Sequence, residues 1–204
     1  MAGGGDARPV LLIHGIACNR AIWRPWLRRL QATGFQPIRA VDLEPLFGDI
    51  DAYADRVADE LRSMQTRCGG ARVTVIAHSM GGLVARAALS RVGPDVIRQI
   101  VTLGSPHHGT VIARLFPWRL ARQMRPGSAW LRALRARQAP PFAVPFTSIY
   151  SLQDNLIVPA RSAALAGARL YELQGLGHMG MVGSPRSIDC AVAALTMHPL
   201  GGSA

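Results

Sequence analysis

Apolar residues fall along the chain in two alternating patterns: short runs rich in β-branched residues, and longer stretches where they recur every three or four positions. Val10 to His14 reads as a buried strand, after which Trp23, Trp26, Leu27 and Leu30 take the i, i+3, i+4, i+7 positions of a helix that Gly34 closes. Ile38 to Val41 predicts the next strand, and Tyr53, Val57 and Leu61, with Asp55, Asp59 and Glu60 between them, an amphipathic helix. A strand over Val73 to Ala77 runs into a helix over about 81 to 92 that Gly93-Pro94 stops. Further strands are expected over Ile97 to Leu103, Phe146 to Tyr150 and Ala168 to Leu173, with a last helix over Ile188 to Leu195. Strands that alternate with helices, and that are as continuously apolar as PVLLI and RVTVIA, predict an α/β fold with about six mostly parallel strands and helices on both faces. At 204 residues the chain is expected to form one domain, residues 1–204. Residues 110–145 are out of proportion, because a crossover normally needs only about a dozen residues.

Composition narrows the picture. With 49 % hydrophobic and 17 % charged residues the chain is globular rather than disordered, and no apolar run approaches the roughly 18 residues of a membrane span. The start, MAGGGDARPV, has no apolar h-region, so no signal peptide is expected in this chain; a cytoplasmic location and a processed secreted form both stay open. The formal net charge is +11 and all 23 basic residues are Arg, which raises nucleic-acid binding. A nucleic-acid partner is nevertheless not expected, because the arginines are spread along the chain rather than gathered in a binding motif. Seven of the 12 acids lie between Asp42 and Glu60, whereas residues 110–145 hold seven Arg and no acid. Cys18, Cys68 and Cys190 are odd in number and lack C-x-x-C spacing, so buried free thiols are expected rather than a disulfide or zinc framework.

The candidate chemistry centres on AHSMGG, residues 77–82, where strand turns directly into helix. At the carboxyl end of a parallel strand such a turn strains its central residue and requires small neighbours two positions either side. Ala77 and Gly81 are small, so the stretch is A-x-S-x-G, one methyl away from the nucleophile elbow G-x-S-x-G, and Ser79 is the candidate nucleophile. A serine that merely caps the helix is the plainer alternative. A serine alcohol needs a base, and the base needs an orienting carboxylate. His178, in the glycine-rich GLGHMGM after the last strand, is the candidate base; His14, His78, His107 and His108 fit supporting roles and His198 the surface. Asp154, in YSLQDNLIVP, completes the chain order Ser, Asp, His, with Asp42 and Asp189 read as solvated or capping residues. The amides of Ile16 and Met80 suit an oxyanion hole.

These motifs together resemble the α/β-hydrolase fold and, within it, the small bacterial lipases and esterases. LLIHGI, with His14 and Gly15, is similar to their oxyanion strand and loop. AHSMGG, with Ala77, His78 and Gly81, is similar to the elbow of the lipases whose first elbow glycine is alanine, and VTLGSPHHGT to the loop after the next strand. The resemblance implies a minimal hydrolase with Ser79, Asp154 and His178 as triad, Ile16 and Met80 as oxyanion amides, and no cofactor or metal. It implies a serine carboxylester hydrolase of lipid-like or other apolar esters; a thioesterase or amidase with the same triad, and a non-catalytic receptor of hydrolase fold, are the alternatives. Residues 110–145 fall where lidded relatives carry a cap over the site. Their apolar and cationic positions fit either a lid that meets a lipid-water interface or a helical hairpin packed on the body with a solvated Arg face.

Overall fold

The computed structural model describes residues 7–138 and 140–197; the glycines of the first six residues and His198 lie outside the described residues. Six strands, β1 (Val10–Ile13), β2 (Ile38–Val41), β3 (Val73–His78), β4 (Ile97–Leu103), β5 (Phe146–Tyr150) and β6 (Arg169–Glu172), form one sheet in the order β2-β1-β3-β4-β5-β6. Every neighbouring pair is parallel. The helices are α1 (Arg24–Ala32), α2 (Ile50–Arg67), α3 (Met80–Val92), α4 (Arg119–Gln123), α5 (Ala129–Arg137), α6 (Gly180–Gly183) and α7 (Pro185–Thr196).

The strands are apolar on both faces because both faces are covered. Leu11 and Ile13 of β1, with Val73, Val75 and Ala77 of β3, pack in one core with Tyr53, Val57 and Leu61 of α2 and Leu83 and Val84 of α3. Val10, Leu12 and Ile76 point the other way, into a core with Trp26 and Leu30 of α1 and Ile188, Ala191 and Leu195 of α7. Trp23 and Trp26, both essentially unexposed, meet edge to face at 5.3 Å. Strand order reverses at β1, since β2 lies on one side of it and β3 on the other. At such a switch point the two following loops diverge and leave a crevice beyond the carboxyl ends of the strands. Here that crevice lies beyond Ile13 and His78, which is where the loop of Gly15 and the turn of Ser79 begin.

Residues 110–145 are more finely divided than their periodicity predicts. A 3-10 turn at Val111–Leu115 precedes α4 and α5, helices of five and nine residues. Leu120, Leu131 and Leu134 are buried against the body. Gln123 accepts from Ile50 N at 3.0 Å and donates to Asp49 at 3.1 Å, and the Trp130 indole donates to Asp51 at 2.8 Å. These bonds fasten α4 and α5 to the acidic start of α2. The cysteines are free, as expected, but all three are only partly buried: Cys18 sits in a loop at the crevice, Cys68 caps α2 and Cys190 lies on α7. Among the described residues no helix is long and apolar enough to cross a membrane.

Candidate active site

Ser79 joins β3 to α3 with φ 56° and ψ −130°, a left-handed conformation that costs an L-residue about 1–3 kcal/mol and persists only where the surroundings impose it. The surroundings do so from several sides. Ser79 N donates to Leu103 O at 2.9 Å, and a side chain on Gly81 would reach within 2.6 Å of the Ile13 and His14 carbonyl oxygens. A Cβ on Gly15 would stand 2.7 Å from the Ser79 Cβ, so glycine there lets the β1 loop close over the serine. Gly82 plays the same part for helix packing: its missing side chain leaves room for Ser105 and Thr102 of the β4 end. Ala77 is fully buried, in register with Ile13 and Thr102. Although Ser79 occupies the N-cap position of α3, its hydroxyl makes no capping bond.

That hydroxyl is bonded to His178 instead. His178 Nδ1 lies 2.9 Å from Asp154 Oδ2 and 3.1 Å from Oδ1, and His178 Nε2 lies 2.9 Å from Ser79 Oγ. A carboxylate only accepts, so Nδ1 carries the proton and donates, which leaves Nε2 of the neutral ring to accept from the serine. All three side chains are buried, at 7 %, 7 % and 4 % exposure for Ser79, Asp154 and His178. Burial by itself would raise the Asp154 carboxyl. Its hydrogen bond from His178, the charge that ring carries when protonated and the amides of Ile157 and Leu156, both 2.9 Å from Oδ1, outweigh the burial and hold it below its ordinary value.

Sequence patterns did not single out the residues that hold this chain in place. Asn155 Oδ1 accepts from His178 N at 3.0 Å and Gln153 Oε1 from Gly175 N at 2.7 Å, so two amides beside Asp154 pin the loop that carries the histidine. The Trp26 indole donates to Val182 O at 2.7 Å and anchors that loop's far end. Thr110 Oγ1 donates to Leu156 O at 2.8 Å and accepts from Val158 N at 3.0 Å, tying the Asp154 loop to the segment after β4. The only signal in the chain was the adjacency of polar amides to Asp154 in LQDNL, which is common in any turn.

His14 donates through Nδ1 to Gly15 O at 2.7 Å and accepts through Nε2 from Leu43 N at 3.1 Å, so it shapes the loop without facing the serine hydroxyl. Ile16 follows in that loop, and Ala17 is left-handed at φ 55°. Among the described residues neither Ile16 N nor Met80 N donates to an acceptor within the chain. Asp42 and Asp189 are engaged elsewhere, in ion pairs with Arg20 and Arg29.

The His78 ring lies tilted against that of His178 at 4.7 Å and donates through Nε2 to the His178 carbonyl at 3.2 Å, while its Nδ1 is buried without a partner. Burial, then the neighbouring His178 charge, pushes its pKa down to about 3. A histidine neutral when folded and titrating near 6.5 when unfolded contributes stability that is complete above about pH 6.5 and is lost progressively as pH falls toward about 3. Across that window His78 is expected to contribute about 1.4 kcal/mol per pH unit to the fall in unfolding free energy. Urea unfolding between pH 6.5 and 4.5 checks this, with the slope of His78→Gln shallower by about that amount; equal slopes for the two proteins would refute it.

A cavity of about 400 Å³ opens beside Ser79 and His178, walled by Ile16, Ile112, Phe116, Trp118, Met124 and Ile157. Thus Ile112, Ala113, Phe116 and Trp118, with Ala121 and Met124 at α4, line the cavity, while Gln123 of α4 and Trp130 of α5 tie the segment to the start of α2. Three of its lining side chains are exposed and apolar, Phe47 and Met179 at 50 % and Phe116 at 40 %, and Leu115, next to Phe116 in the chain, is 74 % exposed.

Known proteins share both the sequence and the architecture. The chain is 26 % identical over 113 residues to a triacylglycerol lipase of Pseudomonas fragi, covering 52 % of this chain and 36 % of that protein. It is 32 % identical over 109 residues to the non-heme chloroperoxidase CPO-A1 of Kitasatospora aureofaciens, covering 50 % and 38 %. The chain thus matches little more than a third of the length of either relative. Its fold is that of the α/β-hydrolases: the mature form of Bacillus licheniformis lipase BlEst2 superposes with a TM-score of 0.78 at 15 % identity, covering 93 % of both chains. Residues 49–154, from the start of α2 through the elbow to Asp154, match the PGAP1-like alpha/beta domain, and the chain belongs to that family.

Proposed function

We propose that the protein is a serine carboxylester hydrolase of apolar esters, of lipase or esterase type. The observation that carries the reading is the buried hydrogen-bonded chain from Asp154 through His178 to Ser79, opening on an apolar cavity. Ser79 Oγ attacks the ester carbonyl carbon as His178 Nε2 takes its proton, and Asp154 stabilises the imidazolium that forms. The oxyanion is received by the amides of Ile16 and Met80, each worth about 3 to 4 kcal/mol in comparable sites, with the N-terminus of α3 behind it. His178 passes its proton to the departing alkoxide, leaving an acyl group on Ser79. Water, deprotonated by His178 Nε2, then attacks the acyl carbon, and as the bond to Ser79 Oγ breaks His178 returns that proton to Oγ, releasing the carboxylic acid and the free serine. The triacylglycerol lipase among the relatives supports an apolar acyl group, as do the cavity walls. We further propose that the exposed Leu115 and Phe116, among the arginines of 110–145, rest on a lipid-water interface.

A chain-length series of p-nitrophenyl esters, followed through the solubility limit of the longest, tests both proposals. Rates are expected to rise with acyl length until the cavity is filled, and to jump once the longest ester forms a separate phase. In Ile112→Trp, which fills the cavity wall, kcat/KM on the longest ester falls about tenfold while the acetate ester is little changed. Absence of hydrolysis across the series refutes the function, and smooth saturation through the solubility limit refutes the interface.

A further inference from the structure

A second cavity, of about 290 Å³, shares no lining residue with the first and opens between α3, α5 and the turns near His108 and Ala166. Arg86, Arg132, Arg135, His107, His108 and Gln138 supply its polar wall, with no carboxylate among the lining residues. Leu131, Phe142 and Leu165 give it an apolar floor. Arg86 projects from α3 and is only 2 % exposed; among the described residues it is the one arginine in the buried class. Its Nε donates to Gln138 Oε1 at 3.1 Å and its Nη1 to His107 O at 3.5 Å, so both acceptors are neutral.

A buried guanidinium is costly unless a negative group compensates it. Several more exposed arginines do have a carboxylate: Arg91 pairs with Asp51 and Asp55, and Arg39 and Arg67 with Glu60. Among the described residues Arg86, the most buried arginine, has no such partner. On the same wall, His107 is 3 % exposed and bonded through Nε2 to Thr102 Oγ1 at 3.0 Å, while its Nδ1 is buried without a partner. The surroundings act on all these groups in one direction. Burial, then Arg135, brings Arg86 down to about 10; burial, then Arg86 and His108, holds His107 well below its ordinary value.

We propose that this cavity binds a small organic anion, a carboxylate or phosphate bearing an apolar group, with its charge on Arg86 and Arg135 and its apolar part on Leu131, Phe142 and Leu165. A bound anion would compensate Arg86 and meet the vacant Nδ1 of His107, either by drawing a proton onto it or by donating a P–OH. The site is independent of the ester chemistry proposed for Ser79.

Calorimetric titration with benzoate and, separately, with inorganic phosphate tests it, chloride holding the ionic strength constant. Saturable one-to-one binding of at least one probe is expected, weakened about tenfold in Arg135→Gln and lost in Arg86→Met. Arg135 is exposed, so Arg135→Gln is the decisive variant and its thermal unfolding should match the wild type. Tighter benzoate assigns the site to carboxylates with an apolar group, tighter phosphate to phosphate compounds. Failure of both probes to bind saturably overturns the proposal. So does binding that Arg135→Gln leaves unchanged, as benzoate lodged beside Ser79 would be.

Discussion

Ser79→Ala is expected to lower kcat for ester hydrolysis by about 10⁶-fold while leaving the folded protein intact. The size follows from the mechanism proposed for the site. Without Oγ there is no acyl-enzyme, and the remaining amides of Ile16 and Met80 supply only the residual catalysis of an oxyanion hole, about 10³- to 10⁴-fold over water. Stability should change little, because alanine must adopt the same φ of 56° and loses only one hydrogen bond, the one to His178. Initial rates on a p-nitrophenyl ester, with unfolding curves for both proteins, check the prediction. A fluorophosphonate should label the wild type and not the variant. Retention of more than about 1 % of the rate by a folded Ser79→Ala protein would falsify the assignment of the nucleophile, whatever the substrate. Failure of the wild type to take up the label would instead favour a receptor that keeps the hydrolase pocket.

Much of this arrangement is legible in local pattern because the fold places its chemistry where pattern is strongest. The strands are uninterrupted apolar runs since both faces are buried, and Ser79 stands out because a sharp strand-to-helix turn demands Ala77 and Gly81. His178 is legible from its glycine-rich loop after the last strand and Asp154 from chain order, two signals that say which loops meet but nothing of what holds them. The clamps of Asn155 and Gln153, the Trp26 anchor on Val182 and the Thr110 tie are long-range or turn-specific bonds between residues common in any loop. Periodicity found apolar and cationic positions in 110–145, yet it could not separate the side chains that line the cavity, such as Phe116 and Met124, from those that pack on the body, such as Leu131 and Leu134. That division depends on partners in α2, Asp49 and Asp51, far off in sequence. The same holds for Arg86: in GGLVARAAL it reads as an ordinary helix residue, and only packing reveals that it is buried without a counter-charge.

Asp154→Asn is the second substitution with a large expected effect, about 10⁴-fold in kcat with KM nearly unchanged. The loop determines how the new amide must sit. Leu156 N and Ile157 N both donate to Oδ1, so in the variant the carbonyl oxygen of asparagine keeps that position and its NH₂ takes the place of Oδ2. That NH₂ then faces His178 Nδ1, 2.9 Å away, and can only donate to it. The ring proton is thereby moved to Nε2, the atom that must accept from Ser79, and the base is lost although every side chain keeps its place. Adding Ser79→Ala to Asp154→Asn should therefore cost far less than the product of the two single losses, because residues of one relay act as a unit. Stability separates this account from simple misfolding. The wild-type carboxyl titrates below its ordinary value, so it contributes stability above about pH 4 that disappears as pH falls through its folded pKa. Asparagine has no such dependence. The stability gap between the two proteins, measured by urea unfolding, should be full above about pH 4 and narrow as pH falls below it, while the variant's activity stays low throughout; a gap that does not narrow with acid would mean that Asp154 is not the charged partner of His178.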